Sequence, residues 1–236
     1  MEDGAAFTIS LKPRGSATYR KDVRYALACA AWLMASALAV PGADVDLPAL
    51  LKSVEKRYNN ARTLQIDFSE AYSLPGRGRM LEDGQLSLRK PGKMRWNYAK
   101  PVGKVFVSDG KFVYYYSPEA NRAEKMKLKE TEDMRAPLAF LLGRLEFDRD
   151  FKEYRSRREG DATFVTATPK SDKLPYTEVS FLVTDQAEIR RLIVTGQDKS
   201  ILDFSFRNEK VNPSLNDALF TFTVPKGAEF VDTSNQ

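Results

Sequence analysis

The 236-residue chain contains no histidine and a single cysteine, Cys29. The first absence closes off Ser-His-Asp and Cys-His nucleophile systems and imidazole-ligated zinc or haem. The second excludes a disulfide framework, a CxxC redox pair and a cysteine-rich metal site. Phosphate-loop chemistry is missing too, because Gly76-Arg77-Gly78 has neither the Lys-Ser/Thr ending nor a strand-to-helix setting. The acid pairs Glu82-Asp83 and Glu132-Asp133 fall in expected turns, where solvated surface is the ordinary role. No cofactor, no metal and no catalysis are expected. What the chain does have is 42% apolar and 29% charged residues, enough to build a packed core and far from the composition of disorder.

Lys12, Arg14, Arg20, Lys21 and Arg24 precede Tyr25–Val40, sixteen residues without a charge. As a helix that run reaches only about 24 Å, short of a bilayer core near 30 Å, and no basic cluster follows it. The pattern is a basic n-region and an apolar h-region, so residues 1–43 are expected to be a cleaved export signal. Ala37-Leu38-Ala39 is the best small-x-small site, a cut after Ala43 is the alternative, and Val23-Arg24 would open a more ordinary signal if the true start lies there. Cys29 sits at the start of the apolar run, whereas lipidation needs it just after, so it is expected to leave with the signal. Removing residues 1–43 takes away five basic and three acidic residues, and the net charge falls from +5 to about +3. That is too mild to indicate nucleic acid.

In the mature part, Leu47, Leu50, Leu51, Val54 and Tyr58 fall on one helical face, with Asp46 as N-cap and Pro48 in the first turn, predicting a helix over 47–59. The period then becomes two. Strands are predicted around 63–69, 85–89, 93–98, 104–108, 111–117 and from 121, with turns at Pro91-Gly92 and Asp109-Gly110, then at 148–156, 161–168, 176–184, 188–196, 200–209 and 220–224. Pro137–Leu142, closed by Gly143, reads as a short helix apolar all round. Residues 44–236 are expected to form one domain, mainly β (α+β): an unclosed antiparallel barrel of about eleven strands with a helical lid in its concave face. Strands 104–108 and 111–117 are apolar or aromatic on both faces, so either both are covered or one lines a cavity.

Five segments occur in an order that resembles the LolA family of periplasmic lipoprotein carriers: GQLSLRKPGKMRWNY (84–98), KVFVSDGKFVYYYSPEANRAEKMKL (104–128), PLAFLLG (137–143), VTATPK (165–170) and FTFTVPKGAEFVD (220–232). The basic-Pro-x-x-x-x-Trp and aliphatic-Ser-Asp-Gly-Lys pieces are the most specific, and the likeness covers about residues 47–232. It implies a periplasmic monomer whose hydrophobic cavity takes the acyl chains of a lipoprotein released by an inner-membrane ABC transporter and delivers them to an outer-membrane receptor. Other readings for the same fold are a lipoprotein-sensing regulator, an outer-membrane lipoprotein receptor and, third, a lipid-modifying enzyme.

The lipid-binding wall is expected to comprise Leu50, Val54, Leu138 and Leu141 from the helices. The strands are expected to add Leu64, Ile66, Phe68, Met94, Trp96, Tyr98, Val107, Tyr114, Phe164, Phe181 and Phe204. The resemblance also implies an arginine before the proline of residues 90–96 that ties barrel to lid. Here that place is Lys90, which offers charge and donors without the planar fork. Its expected partner is a backbone carbonyl of one of the two helices.

Overall fold

Proline in the first turn and the Asp46 carboxylate, which accepts from Ala49 N at 3.0 Å, start helix α1 at Leu47–Asn60. The computed structural model describes residues 45–128 and 145–234. The expected signal, Cys29 and the 137–142 helix with Leu138 and Leu141 lie outside them. After α1 come β1 (Thr63–Ser73), β2 (Met80–Arg89), β3 (Lys93–Lys100), β4 (Val105–Asp109), β5 (Phe112–Ser117) and β6 (Arg122–Lys127). A one-turn helix α2 (Phe147–Asp150) leads into β7 (Phe151–Glu159), β8 (Ala162–Pro169), β9 (Tyr176–Thr184), β10 (Ile189–Gly196) and β11 (Ile201–Val211). A 3₁₀ turn (Asp217–Phe220) and β12 (Glu229–Asp232) complete the order.

The strands form one twelve-stranded sheet in the order β12-β6-β5-β4-β3-β2-β1-β11-β10-β9-β8-β7, antiparallel except for the parallel pair β12 and β6. No pairing joins β12 to β7, so among the described residues the sheet stays unclosed. It is nevertheless strongly curved. Trp96 on β3 and Phe204 on β11 are three strand steps apart, about 14 Å on a flat sheet, yet their ring centroids lie 5.7 Å apart. Side chains converge on the concave side, and α1 fills it with Leu51, Val54 and Tyr58, giving a single apolar cluster that runs from β3 through β1 to β8.

Turn chemistry sets the hairpins. Between β4 and β5, Asp109 Oδ1 accepts from Lys111 N and Phe112 N at 2.8 Å each, and Gly110 adopts φ +99°, a conformation costly for any other residue.

Three expectations need correction. Glu82 and Asp83, expected in a turn, lie within β2 and pair with Glu70 and Ser69 of β1. The strand expected at 148–156 begins at Phe151, because residues 147–150 turn as α2 before the chain enters the sheet. The piece Phe220–Val224 makes no ladder. Asn216 caps the 3₁₀ turn by accepting from Ala218 N at 2.9 Å, and the run beyond it lays its aromatic rings on the sheet instead of pairing with an edge. The last strand is instead Glu229–Asp232, the twelfth of the sheet.

Candidate functional site

Register decides which side chains share the concave face. Trp96 lies opposite Leu86 and Phe106, Leu86 opposite Ile66, Leu88 opposite Leu64 and Met94, and Phe68 opposite Phe206 and Gly84. Farther round, Phe204 faces Leu192, Leu192 faces Phe181, and Phe181 faces Val165. Directly opposed residues point to one side of a sheet, so these form one continuous apolar wall. Its centre is aromatic: Phe68 meets Trp96 and Tyr98 edge-on at 4.8 and 5.2 Å, and Phe204 stacks with Phe206 at 5.8 Å. Gly84 lies between Phe68 and Tyr98 in the ladder, and a Cβ there would sit 2.2 Å from Asn97 O, so close approach of β2 and β3 requires glycine at this point.

Of the wall residues named from the sequence, Val54, Leu64, Ile66, Phe68, Met94, Trp96, Phe181 and Phe204 are buried in this cluster, with Leu50 and Tyr98 packed against it. Val107, Tyr114 and Phe164 are not on the wall. Val107 lies opposite Arg95 and Tyr114, one residue out of step with Trp96, and Phe164 lies opposite Arg157, one out of step with Val165. All three face outward. The outer face of β3 to β5 is covered by the C-terminal segment: Phe222 stacks on Tyr114 at 5.4 Å and Arg95 Nη1 donates to Leu219 O at 3.4 Å. Arg89 donates to the Asp217 carboxylate and Leu215 O while its guanidinium lies 5.4 Å over the Phe220 ring. The outer face of β3 to β5 is thus covered, which explains the apolar residues on that side of β4 and β5. Phe164 instead lies under the Arg157 guanidinium at 4.1 Å.

The model of the outer membrane lipoprotein carrier protein LolA matches residues 59–223 of this chain. The chain belongs to the LolA family. It is 28% identical to an outer-membrane lipoprotein carrier protein of Chromobacterium violaceum over 200 residues, covering 84% of this chain and 93% of that one. It is 33% identical to another of the same description from Photobacterium profundum over 153 residues, covering 64% and 73%. Among solved structures, a LolA superfamily protein of Nitrosomonas europaea is similar at TM-score 0.41 and 12% identity, with 74% of this chain and 97% of that one covered.

In this LolA-family chain the position before Pro91 is occupied by Lys90, whose ammonium donates to Tyr58 O and, at 3.4 Å, to Asn59 O. These belong to the carbonyls that the last turn of α1 leaves without helical partners, at the negative end of the helix dipole. Burial against them lowers the Lys90 pKa. The same turn is held from other sides. Arg57 donates to Glu209 Oε1 at 2.9 and 2.6 Å, Tyr58 OH donates to Glu209 Oε2 at 2.6 Å, and Ile189 N donates to Tyr58 OH at 2.9 Å. Burial and the Glu209 charge push the Tyr58 phenol well above its ordinary pKa. Asn59 exchanges hydrogen bonds with Leu145 at 2.8 and 3.1 Å.

Toward the opposite end of β1 the LolA-family wall turns polar, a feature that strand periodicity alone did not single out. Glu70 follows Phe68 on the same face and lies opposite Phe204 and Glu82. Lys104 grips both Glu82 oxygens at 2.7 and 2.6 Å and sits 4.4 Å over the Tyr98 ring. Burial first, and then the facing Glu82 carboxylate, push Glu70 up to about 7 against the opposing pull of Lys104. Also unforeseen were Leu51, Leu86, Leu88, Phe106, Leu192 and Phe206 as wall members. The alternation of Leu86 and Leu88 with Ser87 was the signal that could have placed two of them.

Proposed function

We propose that this protein is a periplasmic carrier that shields the acyl chains of lipoproteins in transit to the outer membrane. The observation that carries this reading is the apolar wall itself, contributed by strands from β3 to β8 and roofed by α1, in a LolA-family chain without catalytic histidine or cysteine. Such a wall performs no reaction. It replaces water around methylenes at roughly 0.8 kcal/mol each, so about ten buried methylenes hold a chain by about 8 kcal/mol and release needs handover to a receiver. An inner-membrane ABC transporter supplies the cargo and an outer-membrane receptor accepts it. Residues 1–43 act as the export signal, and 44–236 as the carrier domain. The wall residues on α1 and the strands contact acyl chains. Leu138 and Leu141 join them in binding the acyl chains, and Lys90 is the latch that couples β2 to α1.

Native mass spectrometry of the protein purified from its own periplasm tests the reading directly. A co-purifying acylated protein or lipid supports it. Protein that emerges empty, and that fails to displace a fluorescent acyl probe, overturns it.

A further inference from the structure

Glu70 is half-buried and its carboxylate takes no hydrogen bond from any described residue, although it stands on the inner wall directly beyond Phe68 and beside Phe204. The groups that face it are few. From β2 comes the Glu82 carboxylate; Tyr98 of β3 and Lys104, just ahead of β4, stand behind Glu82; β11 presents only the apolar Phe204. Arg79 lines the same pocket but is turned to Asp203 at 3.6 Å. The other cation is Lys104, whose ammonium contacts both go to Glu82, with the Tyr98 ring beneath it and the Tyr115 ring at 5.8 Å. Its charge is already matched. The uncompensated charge at this end of the wall is therefore that of Glu70, and it lies where the head of a chain laid along Phe68, Trp96 and Phe204 would arrive.

We propose that Glu70 is a specificity-determining residue of the acyl site, selecting neutral, carbonyl-bearing heads such as esters and amides over the carboxylate of a free fatty acid. This rests on the carrier reading above. Two carboxylates brought together in a poorly solvated place repel, whereas a protonated Glu70 donates a hydrogen bond to an ester or amide carbonyl and needs no counter-charge. The rise of Glu70 toward neutrality described above means that both forms are populated near physiological pH, and the selectivity grows as the group ionises. The physical advantage for a carrier is plain. Glycerol-ester and amide heads enter, and detergent-like fatty acids do not compete.

The test is displacement of the neutral probe N-phenyl-1-naphthylamine from the purified protein by laurate and by monolaurin, which share a chain length and differ in head charge. Measurements at pH 6 and pH 8.5 leave laurate ionised in water throughout. Wild type should prefer monolaurin, by about tenfold more at pH 8.5 than at pH 6, the change expected from one nearby like charge. Glu70→Gln should hold a pH-independent preference close to the wild-type value at pH 6, and Glu82→Gln, which frees Lys104 to meet an anion, should bind laurate more tightly at both pH values. A circular-dichroism melt shows that each variant is folded. Unchanged wild-type selectivity in Glu70→Gln, or a preference that does not move with pH in wild type, would overturn the role of Glu70 while leaving the carrier reading intact. Failure of both lipids to displace the probe from wild type would sink the carrier reading, and the inference with it.

Discussion

Glu209→Ala is the sharpest perturbation of the helical layer. The carboxylate is only 2% exposed and accepts three hydrogen bonds, two from Arg57 and one from Tyr58, whose own side chain is fully buried. Removing one partner of a fully buried ion pair costs about 3–5 kcal/mol. Arg57 is 29% exposed, so water recovers part of its solvation and the lower end applies. The buried phenol then loses its acceptor while Ile189 N keeps donating to it, a further cost of about 1 kcal/mol. The sum is about 3–4 kcal/mol, and with a urea slope near 2 kcal/mol/M the unfolding midpoint should fall by roughly 1.5–2 M. Arg57→Ala should cost at least as much, about 3–5 kcal/mol, because it leaves a carboxylate only 2% exposed with a single hydrogen bond from Tyr58 and no counter-charge. The double variant should show a coupling of about 1 kcal/mol or more. A midpoint shift under about 0.3 M for Glu209→Ala, or strict additivity, would show that this node does not hold α1 to β10 and β11.

Trp96→Ala opens the aromatic centre of the wall and should weaken acyl-probe binding at least tenfold beyond any loss of fold seen by circular dichroism; Phe164→Ala, on the outer face, should leave binding unchanged. Lys90→Leu should speed amide exchange in residues 54–60 of α1, whereas Lys90→Arg should leave protection equal or higher; equal protection in all three forms would remove the latch. For Glu70, whose folded pKa is raised above the unfolded value, protons are bound more tightly in the folded state. Its contribution is therefore favourable below about pH 4.5 and is lost as pH rises toward about 7. Glu70→Gln should accordingly gain roughly 1–2 kcal/mol over wild type at pH 8.5, with little difference at pH 4, a contrast read from urea curves. Intact-mass measurement of periplasmic material should give a chain starting near residues 40–44 without attached lipid, and a diacylated Cys29 at its start would contradict the cleaved-signal reading.

Period and capping made most of the architecture readable. The stripe Leu47, Leu50, Leu51, Val54, Tyr58 located α1 to within a residue of its end, and β9 occupies the expected 176–184. Alternation identifies two sets of residues on a strand but says nothing of which set faces inward when both are apolar. That ambiguity misplaced Val107 and Tyr114, whose outward face is covered by Phe222 and its neighbours from more than a hundred residues away. Phe164 went astray differently. Its strand carries the small Ala167 on the inner face, while a ring sits outside beneath Arg157, so size was no guide to direction. The parallel strand β12 had no local signal, since its pairing to β6 follows from where the C-terminal segment is laid down. Glu70 was read past because a single carboxylate in a strand is ordinary until its opposite numbers are known.

Among the described residues the unclosed sheet has two unpaired edges, and such an edge is a template on which a second copy could add a strand. A protein that also presents greasy wall area during loading and unloading is doubly exposed to self-association. The two edges answer this in different ways. β7 carries Lys152, Glu153, Arg155, Arg157, Arg158 and Glu159 among its nine residues, and its register with β8 is broken between Lys152 and Arg155, where Glu153 takes φ +54°. Pairing two such strands would align like charges across a distorted ladder. β12 has only four residues, too few to nucleate an intermolecular sheet. Neutralising Arg155, Arg157 and Arg158 together should therefore leave the protein folded while making it precipitate or polymerise at concentrations the parent tolerates.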